Sequence, residues 1–345
     1  MSTQPRGVHL VGSINLGTTS DVFTQIPPLL AGHLRRLPDG EPAPRNIFTR
    51  WQKEVAASAP EVLLKRDERG YFIPGPSGLN PSQVSSALEK LQTLHTGYDD
   101  YALESYALFK QRKDEGIIPP HICFQVCLPG LVNVMTIFAT DFQQALEPRY
   151  EDALTRSLNR IQDSIPHSDL AIQIDAAIEF AYLEGVEPLV PYFDPVFPGV
   201  VDRLSRFANR VAPDVELGFH LCYGDLNHRH FIEPKDMGLL VKVANALHKE
   251  VGRSITWLHM PVPKGRTDRE YYAPLQGLEW EGEELHLGLV HEGDEEGTRE
   301  RIEMARSVLG ERGFGVATEC GMGRTPVEHF GNIMETLRSV SAPVA

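Results

Sequence analysis

A histidine and a cysteine stand two residues apart in GFHLCYGD, residues 218–225, a run that otherwise has the pattern of a buried strand. Side chains at positions i and i+2 of a strand point to the same face, so His220 and Cys222 present an imidazole nitrogen and a thiol sulfur side by side. Both groups bind zinc in proteins. A buried cysteine also serves as a small apolar residue, and a lone histidine often satisfies a core hydrogen bond. The pair predicts a metal site only if other ligands converge on it.

The composition is typical of a soluble globular protein and argues against nucleic acid as a partner. The chain has 345 residues, of which 41% are hydrophobic and 23% are charged. Its 33 Lys and Arg residues stand against 47 Asp and Glu residues, a formal net charge of −14, and no basic cluster interrupts this balance. We therefore expect no nucleic-acid partner, because nucleic-acid surfaces are recognised through concentrated positive charge.

The same survey indicates a cytoplasmic protein without a membrane partner. No window approaches the roughly 18 uninterrupted apolar residues of a membrane span, and the first residues lack the basic start and apolar centre of a secretory signal. The four cysteines, at positions 123, 127, 222 and 320, are too few and too scattered for a disulfide framework. In a reducing compartment they are expected to be buried thiols, metal ligands or nucleophiles.

Eight apolar runs of strand length recur along the chain, and helical patterns follow most of them. The runs are 7–13, 33–41, 121–129, 170–177, 215–225, 254–263, 285–293 and 313–323, and the helical patterns cover 81–94, 98–114, 141–163, 198–210, 235–250, 296–310 and 326–340. Alternating strands and helices form right-handed βαβ units, and eight such units close a (β/α)8 TIM barrel. We predict one closed α/β barrel over residues 1–345, with an open doubly wound sheet as the structural alternative. The long polar connection 264–284 is predicted to be a lid over its mouth.

The active site of such a barrel lies at the carboxyl ends of its strands, and the unusual residues of this chain fall there. In strand order they are Ser13; Asp39 and Glu41; Cys127; Asp175; His220, Cys222 and Asp225; His259; His291; and Cys320. Individually, each has a simpler interpretation: Asp39 before Gly40 can form a turn, Asp175 can cap a helix and His291 can be a solvated loop residue. Their common position at one edge favours a site.

Zinc is the metal that these residues fit. A zinc site needs about four nitrogen, sulfur or oxygen ligands, and a catalytic site leaves one position to water or substrate. His220, Cys222 and Cys320 supply three ligands, and His259, on the sixth strand, is predicted as the fourth. A metal with such ligands can bind a substrate thiol and hold it as a thiolate at neutral pH.

The chain resembles the catalytic barrel of cobalamin-independent methionine synthase and its single-domain relatives, which share a barrel with uroporphyrinogen decarboxylase. VGS (11–13) is similar to the Gly-Ser turn that contacts the homocysteine carboxylate, and DGE (39–41) to the Gly-Glu that holds its amino group. IQID (172–175) resembles the strand whose Asp also contacts the amino acid. HLCYGD (220–225) and ECGMGR (319–324) resemble the His-x-Cys and Cys-Gly of the zinc site. The resemblance thus implies that Gly12, Ser13, Asp39, Glu41 and Asp175 bind substrate.

The departures from the family pattern concern the methyl donor. Asp175 is followed by Ala176 and Ala177 where the family has Asp-Glu-Pro, and PGLVNVMTIFA (129–139) lacks the Trp that packs on folate. LHM (258–260) replaces the Glu ligand of the sixth strand, and the family's duplicated N-terminal barrel has no counterpart in this sequence. The sulfur half of the site is therefore expected to be retained and the folate half lost.

These observations predict a zinc-dependent methyl- or alkyltransferase that activates homocysteine or another small thiol as a zinc thiolate. The donor is expected to be a methylated corrinoid protein or another electrophile rather than folate, with His291 and Asp225 as catalytic residues. One alternative is a lyase or decarboxylase, in which Asp39, Glu41 and Arg45 grip a carboxylated substrate and His291 moves the proton. Another is a catalytically silent binding barrel. Only the transferase requires zinc.

Overall fold

The computed structural model describes residues 4–30, 32–65, 73–224 and 229–344, and eight parallel strands within them form one sheet. The strands are β1 (Val8–His9), β2 (Arg36–Pro38), β3 (Cys123–Pro129), β4 (Leu170–Ala176), β5 (Glu216–Leu221), β6 (Trp257–Pro261), β7 (Glu284–Val290) and β8 (Gly315–Thr318). Each strand overlaps one of the predicted runs. The α/β class and the eight-strand order are thereby confirmed.

The sheet curls into a nearly closed barrel, with the order β1-β8-β7-β6-β5-β4-β3-β2. β1 pairs with β8 in parallel, with Val8 opposite Val316, which confirms the predicted adjacency of the first and last strands. Between β1 and β2 only two isolated parallel bridges occur in the described residues, Val8 with Leu34 and Ser13 with Gly40. Every neighbouring pair of strands in the predicted closed barrel is therefore hydrogen-bonded as a ladder except the pair β1 and β2.

Eleven α-helices accompany the strands in the described residues. They are α1 (Thr19–Leu29), α2 (Pro81–Lys90), α3 (Tyr98–Asp114), α4 (Leu131–Met135), α5 (Thr140–Ser164), α6 (Ile178–Leu183), α7 (Val196–Ala208), α8 (Gly238–Glu250), α9 (Arg269–Tyr272), α10 (Glu295–Leu309) and α11 (Phe330–Val340). Each of the seven predicted helical patterns overlaps one of them. The sequence analysis missed α4, α6 and α9, which have six residues or fewer, and α1, which carries Pro27 and Pro28.

The hydrophobic core lies between the strands and the outer helices. Phe23 of α1, Phe109 of α3 and Phe124 of β3 make mutual ring contacts, with centroids 5.3 to 6.2 Å apart. Charges at both ends of α3 favour its helical state: Asp99 and Asp100 occupy the first turn, and Arg112 and Lys113 the last. These contacts fix the helices against the strands whose ends carry the site.

The interior of the barrel, below its mouth, is unusually polar. The inward side chains include His9, Gln173, Trp257, His259 and His286, all of them buried. His9 Nε2 lies 2.8 Å from Gln173 Oε1 across the barrel, and the His9 ring is 5.1 Å from that of His286 and 5.7 Å from that of His259. Aliphatic residues usually fill this space. Here a network of rings and hydrogen bonds supports the mouth from below.

Segment 264–284 packs for the most part against the outer helices. It forms α9 and a 3-10 turn, Ala273–Gly277, which contact α8 and α10. Tyr271 and Trp280 are almost completely buried there, at 0% and 1% exposure. Apolar side chains within the polar sequence thus anchor these residues to the neighbouring helices, and the lid over the mouth stays a prediction.

No helix in the described part of the chain combines the length and the hydrophobicity that crossing a bilayer requires.

Candidate functional site

A cavity of about 260 Å³ opens at the carboxyl ends of the strands. Its polar and sulfur-bearing lining includes Ser13, Glu41, Asn133, Asp175, His220, Cys222, Cys320 and Arg324, and its apolar lining includes Val11, Ile47, Phe48, Ile137, Ile178 and Phe231. The predicted residues of β1, β2, β4, β5 and β8 thus share one cavity.

His220, Cys222 and Cys320 form a compact group whose possible ligand atoms all lie within 4.8 Å of one another. His220 lies in β5, Cys222 directly follows that strand, and Cys320 follows β8. The Sγ atoms of Cys222 and Cys320 are 3.7 Å apart, and Cys320 Sγ is 3.7 Å from His220 Nε2. The curvature of the barrel brings these two strand ends together although three steps in strand order separate them.

The spacing of these atoms fits zinc. Tetrahedral zinc with bonds of about 2.3 Å to sulfur and 2.05 Å to nitrogen places two sulfurs roughly 3.8 Å apart and a sulfur and a nitrogen roughly 3.6 Å apart. Both observed separations are 3.7 Å. One imidazole and two thiolates are also a soft donor set of the kind that zinc prefers. Three protein ligands would leave the fourth position to substrate, as in catalytic zinc sites.

Local hydrogen bonds and charges favour the thiolate form at Cys320. Its pKa is well below the ordinary value, chiefly because Cys222 donates to its sulfur, and His220 and Arg324 act in the same direction against the effect of burial. Arg324 Nη2 lies 3.9 Å from Cys320 Sγ. The Gly224 amide donates to Cys222 Sγ at 3.3 Å. Since the thiolate is the form that binds metal, these contacts prepare the pair for coordination.

His259, the predicted fourth ligand, lies beside His220 and not beside the sulfurs. The two residues are register partners on β5 and β6, whereas Cys222 lies two positions further toward the mouth. His259 Nδ1 is 2.7 Å from His220 Nδ1, and His259 Nε2 is 3.0 Å from the Thr318 carbonyl oxygen. Both ring nitrogens thus have protein partners. In this arrangement His259 contacts a candidate ligand and does not itself belong to the ligand group.

Ser13 forms one part of a polar cradle, defined here as Ser13, Glu41 and Asp175. The loop after β8 rests on it: the Met322 amide donates to the Ser13 carbonyl at 2.7 Å, and the Gly323 amide donates to Ser13 Oγ at 3.2 Å. Because Oγ accepts this bond, its own proton remains available to a ligand. A side chain at Gly321 would overlap Ser13 Oγ, so the loop can approach this closely only with glycine there.

Glu41 forms the second part of the cradle and has an unusual backbone. Its φ is 47°, directly after Gly40 with φ 82°, so two consecutive residues take left-handed conformations. This conformation is costly for a residue with a side chain and is commonly retained at functional sites. Burial raises the pKa of Glu41 to about 7, although nearby Arg45 acts in the opposite direction.

Asp39 supports this turn and does not line the cavity. Arg45 Nη2 donates to its carboxylate at 2.6 Å, Ser105 Oγ donates at 2.7 Å, and the Glu41 amide donates at 2.9 Å. With these partners inside the protein, Asp39 holds the backbone of Glu41 in place. Its predicted contact with substrate stays a prediction. The pairing of Arg45 with Asp39 also replaces the Glu41–Arg45 pair that the spacing in sequence suggests.

Asp175 completes the cradle from the end of β4. Gln173 Nε2 donates to its Oδ1 at 2.8 Å. Burial, and then the neighbouring Glu41 carboxylate, raise the pKa of Asp175 well above its ordinary value. The buried Asp175 carboxyl group and the half-buried Glu41 carboxyl group therefore oppose each other's ionisation in one cavity. A ligand cation placed between them would relieve this repulsion.

Gly12 lies under the cradle, and Asp225 lies outside the described residues. A Cβ at Gly12 would be 3.3 Å from Cys127 Sγ and 3.7 Å from Glu41 Oε1. Glycine therefore leaves room for the Cys127 sulfur. No position can be given for Asp225, so its catalytic role stays a prediction.

His291 lies in a second cavity, on the other side of Cys320. This cavity has a volume of about 580 Å³ and also contains His230 and Glu319. His291 Nε2 donates to the Val262 carbonyl at 2.8 Å, and burial lowers the pKa of His291 to about 3. Its ring is therefore neutral at physiological pH, with the proton on the nitrogen that faces Val262. The structure separates His291 from the cradle that it was predicted to serve.

Several residues of the site were not singled out from the sequence. Asn133 ties the strand ends together: its side chain donates to the Asp175 carbonyl at 2.9 Å and accepts from the Ile178 amide at 2.8 Å. His230 contacts Glu319 at 2.9 Å; burial lowers the pKa of His230, but Glu319 and Glu233 together raise it to about 9. Asn133 follows β3 and His230 follows β5. Their positions in the segments that follow strands were the signal in the sequence that could have identified them as site residues.

Comparison with known proteins identifies the fold through structure alone. No protein-family model and no curated protein matches the sequence. The chain is similar over 98% of its length, and 98% of the other chain, to a Listeria monocytogenes protein described provisionally as a vitamin-B12-independent methionine synthase, with a TM-score of 0.55 and 15% identity. It is similar over 97% of its length to 92% of a methyltransferase from Methanosarcina mazei, with a TM-score of 0.51 and 13% identity.

A third similar structure is a B12-independent methionine synthase from Shewanella sp. W3-18-1, with a TM-score of 0.46 and 13% identity. The match covers 71% of this chain and 66% of the Shewanella chain. The two full-length matches define the class: the protein has the α/β barrel found in methionine synthase-like and methyltransferase structures. The resemblance drawn from the sequence motifs is confirmed at the level of this fold.

Proposed function

We propose that the protein is a zinc-dependent methyl- or alkyltransferase that acts on a small thiol. The observation that carries the proposal is the convergence, in one cavity, of a His, Cys, Cys group with zinc spacing and a cradle of one hydroxyl and two carboxyl groups. The barrel that it shares with methyltransferase structures supports the same reaction class.

Zinc would be held by His220, Cys222 and Cys320. When bound, it supplies a Lewis acid that lowers the pKa of a thiol placed at the open fourth position. The protein contributes the orientation of the ligands, through the Gly224 amide at Cys222 and His259 at His220. The apolar wall of Ile137 and Ile178 limits access of water to the sulfur.

The favoured substrate is an amino-acid thiol such as homocysteine. The Ser13 hydroxyl can donate to a carboxylate, while Glu41 and Asp175 can accept from an ammonium group. Such a zwitterion also supplies the cation that the two mutually repelling carboxyl groups lack. Anchoring the head group in this way would hold the sulfur close to the metal ligands and convert its attack into an intramolecular event.

The transfer step is a displacement on an alkyl carbon. A sulfur lone pair forms the new S–C bond, and the electron pair of the broken bond leaves with the donor. We propose a methylated corrinoid protein or another small electrophile as donor, because the sequence lacks the folate-packing Trp of the family. A cytoplasmic location is part of the proposal, since a reducing compartment would keep the closely spaced Cys222 and Cys320 from oxidising.

The lyase alternative receives less support from the arrangement of side chains. It requires Asp39 and Arg45 to bind substrate, but these two residues pair with each other at 2.6 Å. It also requires His291 to move a proton in the same site, whereas His291 lies in the second cavity.

The test begins with zinc analysis of protein purified without chelator, followed by substitution with cobalt(II). Homocysteine should change the cobalt absorption spectrum if its sulfur reaches the metal. Methylated thiol should then be sought by mass spectrometry with methylcobalamin as a probe donor. Absence of metal, or a cobalt spectrum that homocysteine leaves unchanged, would contradict the proposed thiol activation.

A further inference from the structure

We propose that His259 is a positioning residue that fixes the tautomer of His220, so that the Nε2 lone pair of His220 faces the two sulfurs. The expected effect of this tautomer on zinc affinity rests on the proposed function. The tautomer itself is a property of the metal-free protein and can be measured without any ligand.

Three groups form a linear chain of hydrogen bonds beneath the candidate metal group. The Thr318 carbonyl oxygen is 3.0 Å from His259 Nε2, and His259 Nδ1 is 2.7 Å from His220 Nδ1. The two rings are 4.7 Å apart at an angle of 48°. At the far end of the chain, His220 Nε2 is 3.7 Å from Cys320 Sγ.

The carbonyl group determines the direction of these bonds. A carbonyl oxygen can only accept, so His259 Nε2 must carry a hydrogen and donate it. A neutral imidazole has one N–H group, which leaves His259 Nδ1 as an acceptor. His220 Nδ1 must then be the donor, and in a neutral His220 ring, the form that binds metal, Nε2 is left with its lone pair.

The opposite arrangement is disfavoured by burial. If His259 donated from Nδ1, its Nε2 lone pair would face the Thr318 carbonyl, and two buried acceptors would lack a hydrogen. A charged His259 ring would satisfy both bonds, but this ring has 0% exposure and lies among His9 and His220, without a carboxylate among its described hydrogen-bond partners. The neutral tautomer is therefore the consistent one.

The register explains why His259 acts through His220. The two residues are level on adjacent strands, so their rings meet side by side, one layer below Cys222. A histidine ligand whose second nitrogen donates to a fixed acceptor is held in the orientation and tautomer that metals require. His259 occupies the strand position at which the resemblance implies a carboxylate ligand, and here it would supply that fixed acceptor.

Nitrogen NMR of metal-free protein labelled with 15N-histidine tests the tautomer directly. The His220 and His259 signals are assigned by their loss in His220→Gln and His259→Asn. We expect His220 to be protonated at Nδ1 and His259 at Nε2. A His220 ring protonated at Nε2 and not at Nδ1 in the wild-type protein would overturn the proposal.

Two variants of His259 then test its effect on His220 and on zinc. His259→Asn retains an acceptor near the position of Nδ1 and should keep zinc affinity, measured by chelator competition, within about three-fold of the wild type. His259→Leu removes the acceptor and should mix the His220 tautomers and weaken zinc binding about ten-fold or more.

His286→Leu is the matched control, because His286 is a buried histidine of the same interior whose side chain bonds to Glu284 and not to His220. It should leave the His220 tautomer and the zinc affinity unchanged. Equal zinc loss in His259→Leu and His286→Leu, or none in His259→Leu, would overturn the positioning role. If the wild-type protein binds no zinc, the proposed function fails, and the NMR spectrum still decides the tautomer. If His259→Leu does not fold, the wild-type spectrum and His259→Asn decide it.

Discussion

The two sides of the main cavity are constructed differently. On the metal side, His220 belongs to a regular six-residue strand, Cys222 directly follows it, and their polar atoms contact Cys320, His259 and Gly224. On the cradle side, β1 has two residues, β2 has three, and the seam between them has only isolated bridges in the described residues. Glu41 and Asp175 have raised pKa values there. The metal side is thus organised before any ligand arrives, whereas the cradle carries electrostatic strain that a bound cation would relieve.

The largest expected effect is the loss of bound zinc when the candidate ligand Cys320 is replaced. Cys320→Ser should reduce bound zinc from one per chain to nearly none, because the site would keep only two of its strong ligands. Elemental analysis after purification without chelator measures the change. Cys123→Ser is the matched control, since Cys123 lies at the opposite end of the barrel, in the first position of β3, and should leave zinc unchanged. Unchanged zinc in Cys320→Ser would refute the ligand group.

Breaking the cradle should leave the metal in place. Glu41→Gln removes a carboxylate that would accept a charge-assisted hydrogen bond of roughly 1.5–3 kcal/mol, so homocysteine should bind about ten-fold or more weakly. Calorimetric titration of the zinc protein measures this affinity. 4-Mercaptobutanoate has the thiol and carboxylate of homocysteine without the ammonium group, and its affinity should hardly change. Equal losses for the two thiols would show that Glu41 does not recognise the ammonium.

The pH dependence of binding sharpens the same comparison. The pKa of Glu41 is raised to about 7, so the carboxylate gains a proton as the pH falls through this value. Homocysteine affinity, expressed relative to that of 4-mercaptobutanoate, should therefore fall by up to about ten-fold per pH unit below 7. The ratio cancels the proton released by the thiol itself. Glu41→Gln should flatten the dependence, and an unchanged slope in this variant would assign the titration to another group.

A smaller loss of affinity is expected from a substitution in the loop after β8, which contacts both the metal side and the cradle side. Gly321→Ala would place a methyl group against Ser13 Oγ and push the loop after β8 away from the cradle. Both zinc affinity and homocysteine affinity should fall by a few-fold, about three to ten. Gly313→Ala provides the control, because an added Cβ there meets nothing within 4 Å. A loss confined to one ligand would indicate that the two sides are independent.

The sequence predicted the parts of the site that depend on periodicity and strand order. His220, Cys222 and Cys320 could be brought together because side chains alternate along a strand and parallel strands end at one edge. The role of His259 could not be predicted from the sequence, since it depends on the register of β5 and β6 and on which ring nitrogen carries a hydrogen. Asp39 looked equivalent to Glu41, but its partners Arg45 and Ser105 occupy it inside the protein. The packing of segment 264–284 could not be predicted either, because isolated apolar residues such as Trp280 decide where a polar segment packs.

The contact between the loop after β8 and Ser13 has a thermodynamic consequence. Cys320 and the amides that bond to Ser13, those of Met322 and Gly323, lie within four residues of one another. A metal that restrains Cys320 would also restrain the Met322 and Gly323 amides that hold Ser13. The free energy of metal binding and the free energy of head-group binding would then be coupled. By linkage, the factor by which the metal increases affinity for the head group equals the factor by which the head group increases affinity for the metal. A substrate bound in the cradle would therefore protect the protein from losing its metal when zinc is scarce.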